Sequence, residues 1–143
     1  MGFRAARYSR RAMRLSICLA VLLALLAAGC KSEPSTYKSR PTADCLRKLG
    51  YRVTTDPAKL GLVEAHAAYG GLVAFHPGNA VRIAFGANDE DAVGIQHGYR
   101  RFAPKKVRPH IDDVMRSQKN AVLLWTVTPP QDEMDKVFGC LKG

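Results

Sequence analysis

Four histidines and two groups of acidic residues carry the side chains that could serve acid-base catalysis or metal binding. The histidines are His66, His76, His97 and His110, and the acidic groups are Asp89, Glu90 and Asp91, and Asp112 with Asp113. The histidine spacing matches no metal-ligand motif. The first acidic group follows Asn88, an arrangement typical of a helix start. We therefore expect no metal, no cofactor and no catalytic residue.

Cysteine is the other reactive residue type, and two of the four cysteines lie in a segment with the pattern of an export signal. Five arginines precede Leu15, an apolar stretch covers residues 15–28, and small residues precede Cys30. The apolar stretch is too short to span a bilayer as a stable helix. The order of basic, apolar and small residues predicts a signal peptide over residues 1–29.

The segment Leu26-Ala27-Ala28-Gly29-Cys30 resembles the lipobox of bacterial lipoproteins, although leucine is commoner where Ala27 stands. In that family the cysteine receives a diacylglyceryl thioether and becomes the acylated first residue of the mature protein, with fatty acids such as palmitate. The resemblance implies lipidation at Cys30. It also implies an exported protein anchored to the cell membrane or the outer membrane, with its domain facing the periplasm or the cell exterior.

Two properties of the leader stay open. The segment "SRRAMR", residues 9–14, partly resembles the twin-arginine export motif, whereas the leucine-rich stretch favours the general secretory route. Translation starts at Met1 or at Met13, since a complete short leader begins at the second of these. Residues 30–41 hold charged, serine and proline residues with little apolar surface, and we interpret them as the lipidated cysteine and a flexible tether. The globular domain is then predicted over residues 42–143.

Once Cys18 leaves with the leader and Cys30 carries the lipid, Cys45 and Cys140 remain as an even pair in an oxidising compartment. We predict that they form a disulfide bond. A redox-active pair is the alternative, but no Cys-x-x-Cys motif and no adjacent lysine or histidine supports it.

The stretch "YRRFAPKKVRPH", residues 99–110, contains six basic and no acidic residues. It is either a solvated helix end with its connector, or a face that binds anions such as acidic lipid head groups, envelope phosphates or an acidic partner. The candidate anion-binding residues are Arg100, Arg101, Lys105, Lys106 and Arg108. Removing residues 1–29 lowers the net charge from +10 to +5, because five of the 22 basic residues precede Leu15. We therefore expect no nucleic acid among the partners.

Hydrophobic periodicity and turn residues predict an α+β domain, with an antiparallel sheet of about four to five strands covered by about three helices in a two-layer sandwich. The predicted order is a helix capped by Thr42, a short strand at 51–54, a hairpin around "PGN", a helix after Asn88, a second hairpin with "IDDVMR" as a strand, and a helix capped by Thr128 with Pro129 at its first position. Residues 60–69 are ambiguous between helix and loop. Ala92, Ile95, Tyr99 and Phe102 form the predicted apolar stripe of the helix after Asn88.

This layout resembles the small disulfide-tied domains of uncharacterised bacterial lipoproteins, a resemblance that brings no known activity. The preferred hypothesis is a membrane-anchored, non-catalytic envelope lipoprotein whose small domain binds an envelope protein, a glycan or an acidic polymer. The alternative is a small envelope hydrolase that uses His76 or His97 with an aspartate. That alternative needs a pocket holding a histidine and a carboxylate within hydrogen-bond distance.

Overall fold

A five-stranded antiparallel sheet is the centre of the fold in the computed structural model, which describes residues 35–143. The strands are β1 (Arg52–Thr54), β2 (Gly71–His76), β3 (Asn79–Phe85), β4 (Met115–Gln118) and β5 (Ala121–Trp125), arranged in the order β1-β2-β3-β5-β4. The predicted signal peptide, Cys30 and the first part of the predicted tether lie outside the described residues.

Five α-helices accompany the sheet among the described residues. They are α1 (Ser39–Lys48), α2 (Leu62–Ala65), α3 (Asp89–Phe102), α4 (Ile111–Val114) and α5 (Gln131–Gly139), with single 3₁₀ turns at Pro57–Lys59 and Arg108–His110. The predicted α+β class with an antiparallel sheet is confirmed. The helix count exceeds the predicted three because α2 and α4 have only four residues each, too few to show a helical period.

Helices pack against both faces of the sheet, which adds a layer to the two predicted. In β3, the side chain of Arg82 meets Glu64 of α2 on one face. The preceding residue, Val81, points to the opposite face. There it is paired in register with Trp125, whose ring contacts Phe138 of α5. The residues of β5 are therefore buried on both sides, as its unbroken apolar sequence predicts.

The β2–β3 hairpin closes where proline and glycine predict a turn. His76 and Asn79 are the last register pair, so Pro77 and Gly78 form a two-residue loop. Gly78 has φ +85°, a conformation that side chains rarely tolerate and glycine adopts freely.

The start of α3 also agrees with prediction. The Asn88 Oδ1 atom accepts a hydrogen bond from the Asp91 backbone N–H at 2.9 Å, and Asp91 Oδ2 accepts one from the Ala87 N–H at 3.0 Å. Tyr99 is buried as the predicted stripe requires, but Phe102 is exposed. Phe102 is the last residue of α3, between the buried Tyr99 and Ala103, and it is one of the residues that line a cavity.

The predicted start of α1 at Thr42 is wrong, and the folded unit includes the end of the predicted tether. Tyr37 is buried, and its backbone N–H donates to the side chain of Asn120 at 2.7 Å. This anchoring allows α1 to begin at Ser39. Thr42 is inside the helix, where its hydroxyl oxygen accepts a hydrogen bond from the Lys142 N–H at 3.1 Å.

Two further predicted boundaries are wrong. The segment predicted as the strand "IDDVMR" begins with helix α4, since Asp112 and Asp113 suit the first turn of a helix, and the strand starts at Met115. Helix α5 begins at Gln131, after Pro130 rather than Thr128. A residue that precedes proline disfavours the helical conformation, so Pro129 cannot easily start the helix.

The predicted disulfide bond between Cys45 and Cys140 is confirmed, with the two Cα atoms 5.4 Å apart and a sequence separation of 95. It joins α1 to the end of α5 on one face of the sheet. Disulfide bonds are typical of proteins in oxidising compartments outside the cytosol. Among the residues described, no helix is long and apolar enough to cross a membrane.

Candidate functional site

A cavity of about 170 Å³ opens on the sheet face that carries α2 and α3. Its lining comes from α2 and the residue before it, from one side chain each of β3 and β5, and from the end of α3 with the connector that follows. A cavity of about 150 Å³ is large enough to hold a benzene ring. This one therefore has room for a single ring or side chain.

Three polar side chains meet at the cavity. Glu64 is only 2% exposed, and its Oε1 atom accepts a hydrogen bond from the Tyr99 hydroxyl at 3.0 Å. The Arg82 Nη1 atom lies 3.7 Å from the same oxygen. A buried carboxylate is costly unless it is paired and hydrogen-bonded, and these two partners meet that requirement.

The second carboxylate oxygen of Glu64, Oε2, faces Gly61. A Cβ atom added at Gly61 would lie 2.5 Å from Oε2 and 3.2 Å from Arg82 Nη1, so both groups pack closely against the glycine and a larger residue would displace them. Within the described part of the chain, Oε2 accepts no hydrogen bond from the protein. The cavity thus holds one unused acceptor next to a guanidinium.

Gly71 in β2 explains how a four-residue helix brings Glu64 to this position. A Cβ atom at Gly71 would lie 2.5 Å from the Cβ of Glu64 and 2.6 Å from its backbone oxygen. Helix α2 therefore lies directly against the strand, an approach that only glycine permits. The carboxylate is held between the sheet and Tyr99 of α3.

Burial raises the pKa of Tyr99 well above that of a free tyrosine, and the neighbouring Glu64 carboxylate raises it further, while Arg82 opposes the effect. A phenol in this setting keeps its proton at neutral pH. Tyr99 is accordingly a stable donor to Glu64 and does not act as a base.

The cavity mouth combines apolar and basic side chains. Leu62 and Phe102 are 56% and 53% exposed, the highest values among the exposed large apolar residues of the described chain. The guanidinium of Arg101 lies 5.3 Å from the centre of the Phe102 ring, within the range of a cation–π contact. Lys105 and Lys106 are exposed and directly follow the lining residue Pro104.

The five predicted anion-binding residues have different surroundings. Arg100 pairs with Asp112 at 2.8 Å, and Arg108 donates from Nε to the Ala103 carbonyl oxygen at 2.8 Å. These two arginines hold the connector to the body of the domain. Arg101, Lys105 and Lys106 are exposed and form no ion pair within residues 35–143, and each lies within two positions of a lining residue in the sequence. We call these three residues the basic rim, although Lys106 also lines a second cavity.

The histidines do not come together. The His66 Nδ1 atom lies 2.8 Å from the Leu62 carbonyl oxygen, His76 contacts the Tyr51 ring at 5.1 Å between centroids, and His97 is exposed on α3. No group of three metal-ligating residues occurs within residues 35–143.

The hydrolase alternative requires a histidine within hydrogen-bond distance of a carboxylate. The shortest such contact between described residues joins His110 Nδ1 and Asp113 Oδ2 at 4.0 Å, and both side chains are exposed. His76 and His97, which the hypothesis named, have no carboxylate at that distance in the described structure.

Sequence reasoning missed Glu64, Arg82 and Tyr99 as members of one site. The available signal was a single acidic residue in the apolar segment "LGLVEAHAAY", whose structure was ambiguous. Tyr99 belongs to the predicted apolar stripe of α3, and no local pattern connects Glu64 with Arg82 and Tyr99, which lie 18 and 35 positions further along the chain.

Comparison with known proteins adds no relative to this description. No protein-family model, no curated protein and no solved structure matches the chain.

Proposed function

We propose that this protein is an envelope lipoprotein, anchored through Cys30, whose disulfide-closed domain binds an acidic envelope component without catalysing a reaction. The observation that carries the binding proposal is the position of the basic rim. Arg101 contacts the ring of Phe102, which lines the cavity that holds Glu64 and Arg82, and Lys105 and Lys106 directly follow Pro104 of the same lining. Oppositely charged surfaces attract over about a Debye length, so these cations favour an acidic ligand at the cavity mouth.

The geometry of the domain agrees with binding. The cavity is supported by a sheet and two helices, and the disulfide bond ties both ends of the domain together. A site on such a scaffold loses little conformational freedom when a ligand binds. Exposed apolar residues at the mouth, Leu62 and Phe102, offer surface that a ligand would bury.

Anchoring is tested by metabolic labelling of cells with a radioactive fatty acid. We expect label on the full chain, a membrane-bound protein, and loss of both in a Cys30→Ser variant. Label that persists in Cys30→Ser, or a protein free of label, would contradict the anchor.

Binding is tested by in-cell crosslinking of the tagged protein, followed by identification of the captured component. The informative variant carries Arg101→Glu, Lys105→Glu and Lys106→Glu. Its matched control carries Arg40→Glu, Lys48→Glu and Lys142→Glu, three exposed residues outside the cavity lining that change the net charge equally. We expect an acidic component to be captured by the parent and the control, with capture lost in the rim variant. Equal capture by the rim variant would refute the role of the rim.

A further inference from the structure

The floor of the cavity, formed by Glu64 and Arg82, restricts the chemistry of the ligand beyond its negative charge. Glu64 and Arg82 carry opposite charges, so together they present no net charge to a group inside the cavity. An anionic group of the ligand placed here would be repelled by Glu64, and a cationic group would be repelled by Arg82. The group that enters the cavity is therefore neutral, and any negative charge on the ligand must lie outside, at the basic rim.

The neutral group must also satisfy two polar neighbours. Glu64 Oε2 offers an acceptor, while the partly exposed Arg82 guanidinium offers donors on the same side of Gly61. A purely apolar group would cover Oε2 and the remaining N–H groups of Arg82 and leave these atoms without hydrogen bonds, at considerable cost. Two adjacent hydroxyl groups fit the pair, because one hydroxyl donates to the carboxylate while the oxygen of the other accepts from the guanidinium.

A sugar ring carries adjacent hydroxyls, and its C–H face has apolar surface that suits Leu62 and Phe102 at the mouth. A hydroxyl side chain of a peptide has a single polar atom to share between the two groups, and an amide side chain could pair with both but has little apolar surface for Leu62 and Phe102. The volume of about 170 Å³ accommodates one such ring. Resting on the proposed function, we infer that the ligand is an acidic saccharide, with one ring bound by Glu64 and Arg82 and its carboxylate or phosphate at the basic rim.

The test measures binding of three defined probes by amide chemical shifts of the labelled full chain, kept in a polyoxyethylene detergent that carries neither sugar nor charge. The probes are a trimer of galacturonic acid, a neutral trimer of galactose, and pentaglutamate. We expect the acidic sugar to shift the amides of Gly61, Glu64 and Tyr99. The neutral sugar should shift the same amides with weaker affinity, and pentaglutamate should shift only the amides of residues 101–106.

Two variants change the floor and leave the rim intact. Glu64→Gln keeps an acceptor for Tyr99 but replaces the carboxylate, and Gly61→Ala places a methyl group 2.5 Å from the present position of Oε2. Each should weaken binding of galacturonate about 10-fold or more, as expected for a lost hydrogen bond to a charged group. Gly94→Ala is the matched control for the glycine change, because nothing lies within 4 Å of its added Cβ. Amide spectra of each variant without probe report whether the fold is retained.

The outcomes separate this inference from the proposed function. Galacturonate binding that is unchanged in both floor variants, or pentaglutamate shifting the floor amides as strongly as the sugar, would overturn the saccharide assignment. If the saccharide assignment failed in this way but the rim variant still abolished binding of the acidic probes, the proposal that the domain binds an acidic ligand would stand. If no acidic probe shifted any amide of the rim or the floor, both proposals would fail.

Discussion

The side chain of Asn120 forms two hydrogen bonds with the backbone of Tyr37, which lies 83 positions earlier in the chain. Its Oδ1 accepts from the Tyr37 N–H at 2.7 Å, and its Nδ2 donates to the Tyr37 carbonyl oxygen at 2.9 Å. Nδ2 also donates to the Gly86 carbonyl oxygen at 2.7 Å. One fully buried amide therefore attaches the first described segment to the start of β5 and to the end of β3.

Replacing Asn120 with alanine should lower the free energy of unfolding by about 3 kcal/mol, because three buried backbone groups lose their partner. Urea unfolding followed by circular dichroism measures this. Gln118→Ala is the control, since Gln118 donates only one bond of 3.2 Å, to the Tyr37 hydroxyl in a partly buried setting. If Asn120→Ala lowered the free energy of unfolding no more than Gln118→Ala, the Asn120 amide would not be the main link between these segments.

Removing the disulfide bond should be the most destabilising single change to the domain. The bond closes a loop with a sequence separation of 95, for which chain entropy in the unfolded state gives a stabilisation of about 4 to 5 kcal/mol. The double variant Cys45→Ala, Cys140→Ala should unfold at a much lower urea concentration than the oxidised parent. The parent measured in a strong reductant should approach the variant, and a coincidence of all three curves would argue against the bond.

Two glycine-to-alanine substitutions should have effects of opposite sign. At Gly71 the added methyl would collide with the backbone of α2, so we expect a destabilisation of about 2 to 4 kcal/mol. At Gly94, in the middle of α3 with open space around it, alanine should stabilise by about 1 kcal/mol through helix propensity. Thermal unfolding of the pair checks both signs, and a tolerated Gly71→Ala would contradict the close packing of α2 on β2.

The buried Tyr99 should make the domain sensitive to alkali. Its pKa in the folded protein is raised above the unfolded value, chiefly by burial and then by Glu64, so the folded state retains a proton that the unfolded chain releases. The resulting stability is fully present below about pH 10, the ordinary tyrosine pKa, and is lost as the pH rises toward the folded pKa.

Tyr99→Phe separates this effect from the other titrating groups, including Tyr51, whose pKa burial also raises. Near neutral pH the variant should be about 1 to 3 kcal/mol less stable, because Glu64 loses a buried donor. Above pH 10 the gap between parent and variant should narrow as the pH increases. Chemical unfolding at pH 7, 9, 10 and 11 gives the comparison, and a constant gap would mean that Tyr99 does not titrate with unfolding.

Local side-chain chemistry was enough to locate the features whose cause lies within a few residues. Proline and glycine at 77–78 close the β2–β3 hairpin, and Asn88 caps α3. The disulfide pairing followed from counting cysteines. Each of these features depends on local backbone geometry or on the number of cysteines that remain, and distant packing changes neither.

Long-range packing decided the rest. Helix α1 starts early because Asn120 holds Tyr37, and the end of α3 buries Tyr99 and Ala103 while Phe102 is exposed. The meeting of Glu64, Arg82 and Tyr99 depends on a glycine in β2 that lets α2 lie against the sheet. The sequence shows that Glu64 is charged and therefore costly to bury, but it does not show which residues offset that cost. These partners come from elements far along the chain, and only the fold brings them together.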